Sequence, residues 1–187
     1  MVEAALPALL SYFDRPFAFF GHSMGAMLGF ELARRLRASH RKGPVQLFLS
    51  GQRAPQLRGE SRVTYNLPEP LFINELRRLN GTPAEVLEHP ELMSLLMPLL
   101  RADFELVQTY SYEPGPPLSC PIVAYGGLED EDVPREDLAA WREQTAAPFS
   151  MRMFPGDHFF LHSSKPLLLR QLSEDLERLG QTLHQAL

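Results

Sequence analysis

An α/β fold built on a mainly parallel sheet is what this chain predicts, on three observations. Four apolar runs of strand length, 17–20, 45–50, 121–125 and 149–154, are separated by helical patterns, and that alternation argues for a parallel sheet covered on both faces. The pentapeptide Gly21-His22-Ser23-Met24-Gly25 fits G-x-S-x-G and lies between the first run and the first long helical stretch. The segments following the first, third and fourth runs carry a serine, four consecutive acids and a histidine. Ligands of such sheets gather at the carboxyl ends of the strands, so these three segments converge on one edge.

Each element has its own signal. Val2, Leu6, Leu9, Leu10 and Phe13 fit one face of a helix over 1–13. The stretch Pro16-Phe17-Ala18-Phe19-Phe20 then reads as a buried strand, and 26–36 as the helix behind the serine. After the second strand, residues 66–112 interrupt the alternation with helical patterns at 70–80 and 90–112, joined by Gly81-Thr82-Pro83. The longer pattern is apolar over a wider stripe than one contact face needs, and Pro98 should kink it. This insertion reads either as ordinary core or as a lid whose apolar underside grips a greasy substrate. Cys120 leads into the third strand, 135–144 reads as a helix around the only tryptophan, Trp141, and 165–187 reads as a terminal helix. In that helix Leu169, Leu172, Leu176, Leu179 and Leu183 should pack on the sheet.

Bulk properties narrow the classes. A chain of 187 residues with 44% apolar and 22% charged residues is read as one soluble domain, 1–187. A net charge of −5 argues against nucleic acid, which calls for a basic face. No apolar run approaches a membrane span, and Glu3 and Pro7 spoil the likeness of 1–13 to a signal sequence. A single cysteine excludes an internal disulfide framework and suits a reducing, cytoplasmic setting. The basic cluster Arg34, Arg35, Arg37, His40, Arg41, Lys42 reads first as helix-terminal cations and second as a steering patch for an acidic partner.

The chemistry follows from Ser23. A serine on a sharp strand-to-helix turn projects its hydroxyl from the sheet, and flanking glycines let backbones approach that turn. It needs a base, and the base needs an orienting acid, in the chain order Ser, acid, His. His158, in Phe154-Pro155-Gly156-Asp157-His158-Phe159-Phe160, follows the last strand, with His162 in reserve. His22 supports the turn. Among Glu129, Asp130, Glu131 and Asp132, position after Gly126-Gly127 favours Asp130, with Asp132 second; spacing alone does not separate them. The backbone N–H of Met24 supplies an oxyanion donor. Pro134 and the missing loop glycine argue against calcium, and Phe159 in place of the glutamate of H-E-x-x-H argues against zinc. No metal or cofactor is called for.

These residues also carry a resemblance. From Pro16 to about Leu161 the chain resembles the type II thioesterases, the editing enzymes of nonribosomal peptide and polyketide assembly lines. The matching segments are 16–26, Leu49-Ser50-Gly51-Gln52-Arg53-Ala54-Pro55, Glu91-Leu92-Met93, 99–105, Cys120-Pro121, Trp141-Arg142-Glu143 and 154–161. The resemblance implies an α/β-hydrolase fold with a mobile helical lid over about 66–112. It also implies hydrolysis of acyl thioesters on the phosphopantetheine arm of an acyl or peptidyl carrier protein, by a monomer. It carries over Ser23 as nucleophile, His158 as base and Asp130 as its orienter, with Glu131 standing where relatives usually have proline. A general carboxylesterase or lipase with the same triad is the rival enzyme.

The family pattern has an earlier strand ending in a Gly-rich loop that supplies the second oxyanion donor, whereas residue 1 here already lies in the helix before the nucleophile strand. The N-terminal strands are therefore expected to be absent, through an incomplete gene product or a miscalled start. Pairing with a separate N-terminal piece, or service as an inactive carrier-binding relative, are the alternatives. Strand 17–20 then becomes a bare apolar edge, and the chain alone is expected to aggregate and to turn over poorly.

Overall fold

The computed structural model describes residues 1–57 and 63–185. Among them, four strands form one parallel sheet in the order β1-β2-β3-β4: β1 Ala18–His22, β2 Gln46–Ser50, β3 Ile122–Gly127 and β4 Phe149–Phe154. The helices are α1 Val2–Leu9, α2 Met24–Ala38, α3 Glu69–Leu79, α4 Ala84–Leu87, α5 Pro90–Gln108, α6 Arg135–Ala139, α7 Phe160–Ser163 and α8 Lys165–Gln185. The chain divides into two compact units, Met1–Ala54 with Pro116–Leu187, and Pro55–Gly115.

In the first unit β2 and β3 are buried along their whole length, as expected for the centre of a covered parallel sheet. Residues alternate between the two faces. Phe48, Val123, Tyr125 and Phe154 point to one face and pack with Phe160 and Leu168. The other face meets α2 and α6: Gly29 of α2 lies over Phe19, and Leu138 of α6 lies over Gly126. Trp141, in a 3-10 turn after α6, packs edge-on to Phe30 of α2 at 5.0 Å and donates through Nε1 to the Gln52 carbonyl at 2.6 Å.

One strand boundary and one helix face correct the sequence reading. β3 continues through Gly126 and Gly127, which pair with Met153 and Phe154 of β4 instead of opening the acidic loop. A side chain at Gly127 would strike the Gly156 and Asp157 carbonyls, so the missing Cβ lets the two chains close up. The face of α8 that meets the sheet carries Leu168 and Leu172, whereas Leu169 and Leu176 are exposed. Asp175, on that same buried side, accepts from the Tyr125 hydroxyl at 2.7 Å and fixes the helix against β3. At the opposite end β1 is the sheet edge, with Phe20 45% exposed and Phe13, Phe17 and Phe19 clustered beside it.

The second unit is helical. α5 runs unbroken through Pro98, and the additional short α4 replaces the loop expected after Pro83. Phe72, Leu76, Leu87, Met93 and Met97 form its core. Gln108 ties the unit's start to its end, accepting from the Thr64 and Tyr65 N–H groups and donating to the Thr64 hydroxyl at 2.6 Å.

Candidate active site

Ser23 stands between β1 and α2 with φ 52° and ψ −117°, a left-handed conformation that L side chains rarely adopt. Its N–H donates to the Ser50 carbonyl at 2.8 Å, so the turn is pinned to the end of β2. The two glycines of the pentapeptide differ in what they do. A Cβ on Gly21 would overlap the Gly25 carbonyl, whereas one on Gly25 would meet nothing within 4 Å. Only Gly21 is required by close approach at this turn. Behind it, α2 begins at Met24, so the Met24 N–H is one of the helix donors that geometry leaves without an intrahelical acceptor.

Asp130 lies beyond β3 and His158 beyond β4. The two loops are joined by backbone bonds, from the Leu128 N–H to the Phe154 carbonyl at 2.8 Å and from the Glu129 N–H to the Gly156 carbonyl at 3.0 Å. Asp130 is buried, and its Oδ2 lies 2.8 Å from His158 Nδ1. His158 Nε2 lies 3.1 Å from Ser23 Oγ. Burial pushes the Asp130 carboxyl up, but the hydrogen bond and charge of His158, with the N–H groups of Asp132 and Val133, outweigh it and hold it below its ordinary value. The carboxylate therefore accepts from Nδ1–H, which leaves the Nε2 lone pair facing the serine hydroxyl. A hydroxyl beside such an oriented imidazole can attack a carbonyl carbon.

Ser23, Asp130 and His158 are thus brought together, and Asp132, the second candidate acid, instead offers its N–H to Asp130 Oδ1 at 3.0 Å. His162 is exposed and stacks on Phe159, away from this line. His22 supports the turn through Nδ1, 3.0 Å from Ser50 Oγ, and its ring occupies the place of a Cβ on Gly51. Burial holds His22 neutral, pushing it down to about 3, with the neighbouring His158 acting the same way. Its Nε2 is buried without a hydrogen-bond partner among the described residues. Cys120 is buried, and desolvation pushes its thiol up to about 11, which removes it as a nucleophile at neutral pH.

Three arginines of the basic cluster are engaged within their own unit. Arg34 pairs with Glu31 at 2.7 Å, Arg35 with Glu3 at 2.8 Å, and Arg37 donates to the Pro116 and Pro117 carbonyls. Sequence reasoning assigned no role to Ser50, Gln52 or Arg53. Gln52 donates to the Ser23 carbonyl at 3.3 Å and Arg53 to the Asp132 carbonyl at 2.6 Å. Their signal was the segment 49–55, matched as a block and otherwise silent.

A parallel sheet that carries serine, acid and histidine beyond β1, β3 and β4, in that chain order, is the layout of the α/β-hydrolases. The family profile described as a thioesterase domain matches residues 1–177. The gramicidin S biosynthesis protein GrsT of Aneurinibacillus migulanus is 47% identical over 176 residues, covering 94% of this chain and 69% of its own length. Thioesterase PikA5 of Streptomyces venezuelae is 39% identical over 159 residues, 85% of this chain and 56% of its own. Among solved structures, RedJ, a thioesterase from the prodiginine pathway of Streptomyces coelicolor, superposes with a TM-score of 0.85 at 36% identity, covering 91% of this chain and 68% of its own. The chain belongs to the thioesterase family, whose members are serine hydrolases acting on thioesters. No helix among the described residues is long and apolar enough to cross a membrane.

Proposed function

We propose that this enzyme removes acyl groups from the phosphopantetheine arm of acyl or peptidyl carrier proteins, as an editing or release thioesterase of nonribosomal peptide or polyketide synthesis. The observation that carries the reading is the line Ser23 Oγ, His158 Nε2, His158 Nδ1, Asp130 Oδ2, with contacts of 3.1 and 2.8 Å. The reading extends to this chain what the names of GrsT, of gramicidin S biosynthesis, and RedJ, of the prodiginine pathway, say of those proteins. Ser23 attacks the thioester carbonyl while His158 takes its proton, the Met24 N–H receives the developing oxyanion, and the carrier thiol leaves with the proton from His158. Water activated by His158 then releases the acid and restores the serine. Asp130 orients the imidazole and stays ionised throughout. The segment 66–112 serves as the lid insertion in this reading. The enzyme acts as a cytoplasmic monomer and needs no metal or cofactor for these steps.

The test compares acyl-pantetheine thioesters with matched oxygen esters, on the wild type and on Ser23→Ala. The expected result is faster thioester cleavage and its loss, by about 10³-fold or more, in the variant. A preference for oxygen esters overturns the thioester assignment. Hydrolysis that survives Ser23→Ala overturns the serine mechanism.

A further inference from the structure

Arg53 touches neither Ser23 nor His158 through any bond described above, yet it is linked to the acid by a single peptide plane. Its guanidinium donates to the Asp132 carbonyl at 2.6 Å. The N–H at the other end of that same peptide unit belongs to Val133 and donates to Asp130 Oδ1 at 3.2 Å. A trans peptide is rigid, so fixing its carbonyl fixes the direction of its N–H. Donation to the carbonyl also polarises the unit and strengthens the N–H as a donor. Oδ1 is thereby held, with the Asp132 N–H beside it at 3.0 Å, and Oδ2 is left to face His158 Nδ1 at 2.8 Å.

Arg53 is itself anchored. It follows β2, where the Gly51 N–H donates to the Tyr125 carbonyl at 2.8 Å, and the Ala54 N–H donates to the Asp137 carbonyl at 3.1 Å. Its Nε lies 3.6 Å from the Asp137 carboxylate, a second partner for the guanidinium. Arginine suits the place because its planar fork serves two partners in fixed directions, where a lysine has one mobile ammonium.

We propose that Arg53 is a positioning residue for catalysis: through the peptide joining residues 132 and 133 it sets the Asp130 carboxylate against His158. This rests on the reading of Ser23, His158 and Asp130 as the working triad. The experiment measures kcat and KM on an acyl-pantetheine thioester for the wild type, Arg53→Ala and Arg53→Lys. It also records the low-field proton NMR signal of His158 Nδ1–H, which reports the bond to Asp130 without turnover. Arg53→Ala is expected to lower kcat about 10- to 100-fold, with KM within about 2-fold of wild type, because small misplacements of a reacting group carry such costs. The low-field signal should weaken or move upfield, and Arg53→Lys should recover part of both. Wild-type kcat with an unchanged signal overturns the proposal, and so does a lower melting temperature with the signal intact. Where Arg53→Ala costs the fold, Arg53→Met keeps the aliphatic stem, removes every donor and is read by the same criteria. If Asp130→Asn leaves turnover intact, the triad reading fails separately, while the NMR comparison still decides whether Arg53 sets the carboxylate.

Discussion

The unit that carries the serine and the helical unit 55–115 hold themselves together in different ways. In the first, the groups near the site are fixed by directional bonds. Ser50, Gln52 and Asp130 are all buried and all hydrogen-bonded, and the strained turn at Ser23 is tied to β2. In the second, the core is two methionines with Phe72, Leu76 and Leu87, while Leu92, Leu95 and Leu99 stay exposed along α5. Methionine is unbranched and fills irregular space without demanding one geometry. The contrast teaches that the groups around the serine are set by directional bonds, whereas the core of the helical unit packs without direction and is tied at its ends by Gln108.

That contrast can be broken at its strongest point first. Asp130→Asn should lower kcat about 10⁴-fold, because the amide favours the wrong imidazole tautomer while geometry is kept. Steady-state kinetics on a thioester would check it; a loss below about 10-fold would mean the directional network is not what activates the serine. Next in size is a pair of substitutions in α5. Met97→Ala should cost about 2–5 kcal/mol of stability in its unit, and Leu95→Ser, at a position 77% exposed, within about 0.5 kcal/mol. Urea unfolding or hydrogen exchange of the helical unit measures both. Equal costs would show that the exposed stripe is covered in solution.

A third effect concerns acid and is spread over several pH units. His22 is held neutral in the fold, down to about 3 from 6.5, so the unfolded chain takes up the proton first. Stability should therefore decline as pH falls from about 6.5 towards about 3, by at most about 1.4 kcal/mol per pH unit. The depressed Asp130 carboxyl acts in the same sense below its ordinary 3.8, its contribution being lost as pH falls through the lowered folded value. Denaturant unfolding at a series of pH values checks this, and His22→Phe should flatten the slope above pH 4.

Much of this arrangement was legible in the sequence. The parallel sheet was readable because each strand is a short apolar run bounded by helical patterns. The meeting of Ser23 and His158 at one rim followed from their places just past two such runs. What stayed hidden depends on backbone geometry. Four acids in a row carry no mark that says which points inward; the choice is made by two N–H groups, at 132 and 133, that capture one oxygen of Asp130. Gly126 and Gly127 look like the start of a loop, but they are strand residues whose lack of a side chain admits a neighbour. In α8, Leu167, Leu168 and Leu169 stand side by side, so periodicity picked out Leu172 but took Leu169 in place of Leu168. Arg53 was invisible because it acts through a main-chain carbonyl.

The two backbone bonds between the loops after β3 and β4 have a mechanical consequence. Zipped together, the acid and the base are held at one separation by main-chain bonds as well as by their own contact. The serine is fastened separately, to the end of β2, within the same compact unit. In the proposed mechanism the contact between hydroxyl and imidazole is the one that must open and close in each half of the reaction.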